Sequence, residues 1–160
     1  MTEFCSQHEN SYEFSKKILN SSVYEINNNI YFESLKKIIV NNNDFELCNN
    51  SMKQLKEIAE NSQTWMEPYL LDFLPILMDN ISFFKTSQQA KETAEKIIEK
   101  MNTYSISFVL ELLFASFDSL KWQTKCGALT LLGMFKNLDK SVVQQNIPKI
   151  ILNLISLATD

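Results

Sequence analysis

Apolar residues along this chain recur at intervals of three and four, not two. Leu70, Phe73, Leu74, Leu77, Met78 and Ile81 form one such stripe, and Leu47, Met52, Leu55, Ile58 and Ala59 form another. That spacing gathers side chains on one face of an α-helix, whereas a half-buried strand would alternate. Between Ile30 and Val40, Tyr31, Phe32, Leu35, Ile38 and Ile39 fall on one side and Lys36 and Lys37 on the other. Tyr104–Phe117 and Val142–Ala158 read as further helices. Polar tracts separate them: Asn20–Asn29 reads as a loop, and Asn41–Asn43 ends a helix just before Asp44, a suitable N-cap for the next. Thr64 with Glu67 three residues on has the pattern of a capping box, Pro68 falls where a helix tolerates it, and Pro75 predicts a kink. Near the start, Phe14, Ile18 and Leu19 predict a helical turn or two. Residues 1–29 therefore read as a polar segment with a short helix, and residues 30–160 as one helical domain.

The helices repeat. Asp118 to Gly133 carries Trp122 at a first core position, Lys125 three on, then Ala128, and Leu132-Gly133 at the end. The small Ala128 lets a neighbouring helix approach closely. Setting Lys91 on Lys125 places Ala94 on Ala128 and Ile97-Ile98 on Leu131-Leu132, an offset of 34 residues. Leu74-Pro75 and Ile147-Pro148 stand 73 apart, or two units of about 36 or 37. A two-helix unit of that length marks an α-solenoid, between the ~34 of tetratricopeptide repeats and the ~40–47 of HEAT repeats. Trp122 and the Leu-Gly pair sit in a second helix, not in the first as the tetratricopeptide pattern requires. The expected fold is all-α: a solenoid of HEAT-type hairpins, about three pairs plus a terminal unpaired helix. Such units depend on their neighbours for burial. Ile150, Ile151, Leu154, Ile155 and Leu157 thus lack half their covering, so a longer solenoid or a protein partner is expected over Ile147–Ala158.

Composition supports helices, since two glycines and three prolines are too few for the turns of an all-β fold. All fifteen basic residues are Lys, so no guanidinium fork is present for bidentate recognition of phosphate or guanine. The net charge is only −4. Three widely spaced cysteines suit a reducing cytosol. Met1–His8 lacks the basic and apolar regions of a secretory signal. The longest apolar stretch, Ile147–Ala158, is interrupted by Pro148, Lys149 and Asn153. A cytoplasmic protein with no membrane contact is expected.

Catalytic chemistry finds little support. His8, the single histidine, lies in the polar N-terminal segment without a positioned partner. Cys5, Cys48 and Cys126 lack Cys-x-x-Cys spacing, and one histidine does not complete a zinc set with them. No metal, cofactor or small-molecule substrate is expected. Cys126 reads as a small buried residue and Trp122 as core. Trp65 reads as an exposed aromatic or as a staple against Tyr69 or Leu70, and Glu92 with Lys96 as a surface pair. Lys121 and Lys125, with Lys85, Lys91, Lys136, Lys140 and Lys149, are candidates to line one edge of the solenoid. There they would meet phosphates by charge and position without reading bases. An ordinary solvated face is the other reading.

Tyr31-Phe32-Glu-Ser-Leu35-Lys-Lys-Ile38, Asn50-Ser-Met52 through Ile58-Ala59, Glu67-Pro68-Tyr69 with Leu74-Pro75, and Lys121-Trp122-Gln123 with Lys125 resemble the N-terminal HEAT domain of fungal-type translation elongation factor three. They occur in the same order at nearly the same spacing, from about residue 30 onward. The HEAT region of the general-control translational activator is similar too. The resemblance implies a non-catalytic ribosome-binding module. In that family the HEAT domain touches small-subunit RNA and proteins, and two ATPase cassettes further along the chain drive release of deacylated tRNA. The cassettes have no counterpart here: a P-loop needs glycines in a loop, and Gly127 and Gly133 fall in a predicted helix. The other reading is a general protein–protein scaffold of HEAT type, unconnected with the ribosome.

Overall fold

The computed structural model describes residues 25–159 except Asn42 and Asp139, with side chains from Ile30 onward. Eight α-helices follow one another among the described residues: α1 (Glu25–Asn41), α2 (Phe45–Glu60), α3 (Glu67–Leu71), α4 (Leu74–Ile81), α5 (Ser87–Lys100), α6 (Thr103–Phe117), α7 (Trp122–Met134) and α8 (Lys140–Thr159). Short 3-10 turns, Thr64–Met66 and Phe135–Asn137, precede α3 and follow α7. α1 pairs with α2, the α3–α4 unit with α5, and α6 with α7, while α8 packs on α6 and on the 3-10 turn after α7. The fold is the expected all-α solenoid: three hairpins and a terminal helix.

Local chemistry explains most boundaries. α1 begins at Glu25, inside the tract expected to be a loop, and takes in Asn27–Asn29. The first N–H groups of a helix have no intrahelical partner, so polar residues are well tolerated there. Asp44 caps α2 as expected, its carboxylate accepting from the Glu46 and Leu47 amides at 3.0 and 3.1 Å. Pro75 breaks the first helix of the second hairpin instead of only bending it: α3 ends at Leu71, the residue whose carbonyl the Pro75 ring would strike. Pro148 lies within α8, which runs on without interruption. The Thr64–Glu67 capping box does not form, because Gln63 leads the 3-10 turn with no side-chain cap and Glu67 is drawn into the next hairpin. The short N-terminal helix over Tyr12–Leu19 lies outside the described residues.

One apolar core runs through all three hairpins, from Phe32 to Phe135. The offset of 34 reappears in it: Thr93, Ala94, Ile97 and Ile98 of α5 are buried, and so are Gly127, Ala128, Leu131 and Leu132 of α7. α5 packs on α2, where Thr93 donates its hydroxyl to the Met52 carbonyl at 3.0 Å. α7 packs on α4 more closely still. A β-carbon added at Gly127 would lie 2.2 Å from the Met78 carbonyl oxygen, so the helices meet backbone to backbone. The close approach expected at Ala128 centres on Gly127, one residue earlier.

A polar ladder at the repeat length ties each hairpin to the next. Lys36 pairs with Asp72 at 3.5 Å and Lys56 with Glu92 at 3.0 Å, and the Asn49 amide donates to the Lys85 carbonyl at 3.1 Å. Each partner stands 36 residues on. The buried Glu67 carboxylate accepts from the Asn102 side chain at 2.7 Å and from the Ser105 hydroxyl. Asn102 in turn caps α6 by accepting from the Tyr104 and Ser105 amides.

Candidate interaction surface

The candidate lysines do not share one edge. Lys85 lies in the turn before α5 and Lys91 in the first half of α5; Lys121 immediately precedes α7 and Lys125 lies in its first turn. These four belong to the end formed by turns within hairpins. Lys136, in the 3-10 turn after α7, and Lys140, the first residue of α8, belong to the connection between hairpins. α7 has 13 residues, so about 20 Å of helix separates the two groups. Lys149 sits midway along α8 and pairs with Glu111 at 3.5 Å. An alternating solenoid chain places the two kinds of turn at opposite ends, which sequence spacing alone does not reveal.

The end with turns within hairpins is firmly held between the second and third units. Asp79 accepts from the Thr124 hydroxyl at 2.6 Å and lies 3.9 Å from the Lys121 ammonium. The Ser82 hydroxyl donates to the Gln123 carbonyl at 3.0 Å. Within the α4–α5 turn, Thr86 is fully buried and donates to the Asn80 carbonyl at 3.1 Å. The Lys85 ammonium stands 4.3 Å from the centre of the Phe45 ring. Large apolar side chains project from this braced end: Phe84 is 98% exposed, Leu120 103% and Trp122 64%.

Two expectations about α7 are therefore corrected. Trp122 is exposed, not core, and Cys126 is exposed, not buried. Both lie on the side of α7 opposite Gly127, Ala128 and Leu131, which carry the packing. Of the two described cysteines Cys48 is the buried one, and burial, helped by the nearby Asp44 carboxylate, raises its pKa. Trp65 is exposed as one reading had it, with its indole donating to Gln63 at 2.9 Å. Glu92 and Lys96 do not pair. Hydrogen bonds from Gln88 and then Lys56 lower the pKa of Glu92, while Lys96 bonds Glu99 at 2.8 Å, which raises its own.

On α8, Ile150, Leu154 and Leu157 lean on the core, and Ile147, Ile151, Leu152 and Ile155 are exposed. No group of three or more potential metal ligands occurs among the described residues. No helix among them is long and apolar enough to cross a membrane. His8 and Cys5 lie outside the described residues. Both glycines of the chain lie in α7, in helical backbone and not in a phosphate-cradling loop.

The sequence is 39% identical over 83 residues to elongation factor 3 of Gonapodya prolifera, covering 50% of this chain and 7% of that protein. It is 36% identical over 89 residues to elongation factor 3 of Phytophthora infestans, covering 54% and 9%. Similarity to the eIF-2-alpha kinase activator GCN1 of Saccharomyces cerevisiae is 24% over 105 residues, covering 64% and 4%. The matched part of the chain thus spans less than a tenth of each relative. No solved structure matches it. The family described as EF3 N-terminal HEAT repeat matches residues 7–160, a range that takes in every described hairpin and α8. The chain belongs to the EF3 N-terminal HEAT repeat family.

Proposed function

We propose that this chain is a non-catalytic, cytoplasmic module that binds the ribosome in translation elongation. The family match over residues 7–160 carries the reading, and relatives named as elongation factors support it. Lysine groups at the two ends of the helices, Lys85, Lys91, Lys121 and Lys125 at one and Lys136 and Lys140 at the other, offer contacts to ribosomal RNA phosphate or acidic ribosomal protein. Without arginine these contacts are point charges that position the module and are weakened by salt. Co-sedimentation with purified ribosomes at low and moderate salt tests the reading. The expected result is pelleting that weakens with salt and falls when Lys85, Lys121 and Lys125, or Lys136 and Lys140, are changed to Glu. Absence of pelleting at both salts refutes it.

A second reading, a general HEAT scaffold, draws on the exposed Ile147, Ile151 and Ile155 of α8. A protein surface covering this helix would bury them. Defined non-ribosomal partners whose binding is lost in Ile151→Glu/Ile155→Glu, with ribosome pelleting absent, would favour it.

A further inference from the structure

Corresponding faces of the three second helices differ in one decisive way. On α7, Trp122, Cys126, Leu129 and Gly133 follow at spacings of four, three and four, and all are exposed. The buried residues of α5 and α7 correspond at an offset of 34, so the same face of α5 holds Gln88, Glu92, Glu95 and Glu99. On α2, where Ser51 and Met52 stand in the places of Thr93 and Ala94, it holds Glu46, Asn50, Lys53 and Glu57. Two hairpins turn polar side chains outward at these positions and the third turns outward a tryptophan, a cysteine and a leucine. A further hairpin stacked as these three are would leave the strip open, because α5 leaves that face of α2 at least partly exposed and α7 does the same for α5.

We propose that the outer face of α7 is a docking strip for an amphipathic helix of another protein. This helix would carry apolar residues every three or four positions and acidic residues at the end that meets the α4–α5 and α6–α7 turns. Trp122 and Leu129 are the anchors, spaced as one side of a helix requires. Phe83, Phe84 and Leu120 widen the strip at its turn end, within a few residues of the Ser82–Gln123 hydrogen bond. The charge there suits an acidic end: residues 79–91 and 118–125 hold Lys85, Lys91, Lys121 and Lys125 against only Asp79 and Asp118. Asp79 accepts from Thr124 and pairs with Lys121, which offsets one charge of each sign and leaves Lys85, Lys91 and Lys125 against Asp118. The braced turn supplies a preformed surface, which lowers the ordering cost of association. Single-stranded RNA fits less well: Trp122, Phe83 and Phe84 with the nearby lysines could meet bases and phosphates at the turn end, but from Cys126 to Gly133 the strip carries neither an aromatic side chain nor a cation. The inference does not depend on the ribosomal reading.

The test uses the full chain and a panel of labelled helix-forming peptides of about five turns. Leu, Phe or Met forms the stripe and Glu is placed at one end; each peptide has a partner of equal composition with the stripe scrambled. Fluorescence anisotropy is expected to show saturable binding of at least one striped peptide and at least tenfold weaker binding of its scrambled form. Giving α7 the face of α5, as Trp122→Gln/Cys126→Glu/Leu129→Glu, is expected to weaken binding at least tenfold with circular dichroism unchanged. The single variants Leu129→Glu and Phe84→Ser give the same readout if the triple variant misfolds. No saturable binding across the panel, equal binding of scrambled peptides, or binding indifferent to these variants overturns the proposal. So does oligouridylate binding that the α7 variants abolish while leaving peptide binding intact. A concentration-dependent dimer in sedimentation that the same variants abolish would make the strip a self-interface and overturn it as well.

Discussion

Alanine substitution at the two glycines of α7 should move stability in opposite directions. Both positions are helical, and alanine favours a helix over glycine by about 0.8–1 kcal/mol, so propensity alone predicts stabilisation at each. Around Gly133 nothing lies within 4 Å of an added β-carbon, and the gain should be realised, at about 0.5–1 kcal/mol. At Gly127 the same carbon would stand 2.2 Å from the Met78 oxygen, 2.7 Å from its carbonyl carbon and 2.8 Å from its Cα. These are backbone atoms, with no rotamer to turn away, and ordinary carbon contacts begin near 3.5 Å. α7 would have to retreat from α4 by about 1 Å, loosening the packing of Ala128 and Leu131. Overpacking of this kind costs about 1–3 kcal/mol, and three contacts under 3 Å place it toward the upper end. The net effect of Gly127→Ala is a loss of about 1–2 kcal/mol. At roughly 2–4 °C per kcal/mol for a chain of this size, its melting temperature should fall by roughly 2–8 °C, while Gly133→Ala rises by roughly 1–4 °C. Thermal denaturation followed by circular dichroism measures both. A Gly127→Ala protein as stable as Gly133→Ala would refute the backbone contact between α4 and α7.

Other positions allow shorter tests. Ala128 is fully buried, so Ala128→Leu should cost roughly 1–3 kcal/mol in urea denaturation; an unchanged midpoint would mean that the helix is not packed there. Glu67→Ala leaves the Asn102 amide and the Ser105 hydroxyl without their acceptor, for a loss of about 1–3 kcal/mol, and a double-mutant cycle with Asn102→Ala should show coupling. Strict additivity would place no clasp between the hairpins. Maleimide labelling followed by peptide mapping should modify Cys126 in the native chain and Cys48 only after unfolding; equal rates at the two would contradict their burial. Glu92 has its folded pKa below the ordinary 4.5, so the stability it adds is fully present above that value and is lost as pH falls through the lower folded value. Glu92→Gln should therefore flatten part of the acid limb of a stability–pH curve, and an unaltered limb would exclude the contribution.

Elements that depend on nearby residues were legible in the sequence. Three-and-four periodicity located the hairpins and Asp44 was recognisable as a cap, whereas Pro75 predicted only a kink where the helix breaks between Leu71 and Leu74. Glu67 shows where local reading fails. Its position after Thr64 satisfies a capping pattern, but its carboxylate is an acceptor that the start of α6 needs, and a partner some 35 residues away is invisible to a four-residue motif. The lysines fail for a related reason. Chain distance between Lys125 and Lys136 says nothing of the helix axis that separates them, and only the direction of α7 divides the charges between two ends.

Trp122 and Cys126 are misplaced by their sequence pattern because α7 carries apolar residues all round, although Ala128 is buried at the contact as expected. Trp122, Cys126 and Leu129 are as hydrophobic as Ala128, Leu131 and Leu132, so periodicity supplies no preferred face and a large apolar side chain such as Trp122 resembles a core residue. The repeat itself held a better criterion. The offset of 34 that sets Ala94 on Ala128 also sets Gln88 on Trp122 and Glu92 on Cys126, and neither a glutamine nor a glutamate would be buried without partners at a packed position. Corresponding sites in a solenoid share a packing environment because each unit meets its neighbours in the same way. A position held by charged or amide side chains in two units is therefore a solvent position in the third, whatever residue occupies it, whereas the small hydroxyls of Ser51 and Thr93 are buried. By that rule the tryptophan belongs outside, and Gly127, standing where α5 has Thr93, belongs at the contact. Orientation of an ambiguous helix in such a protein is better taken from its sister helices than from its own hydropathy.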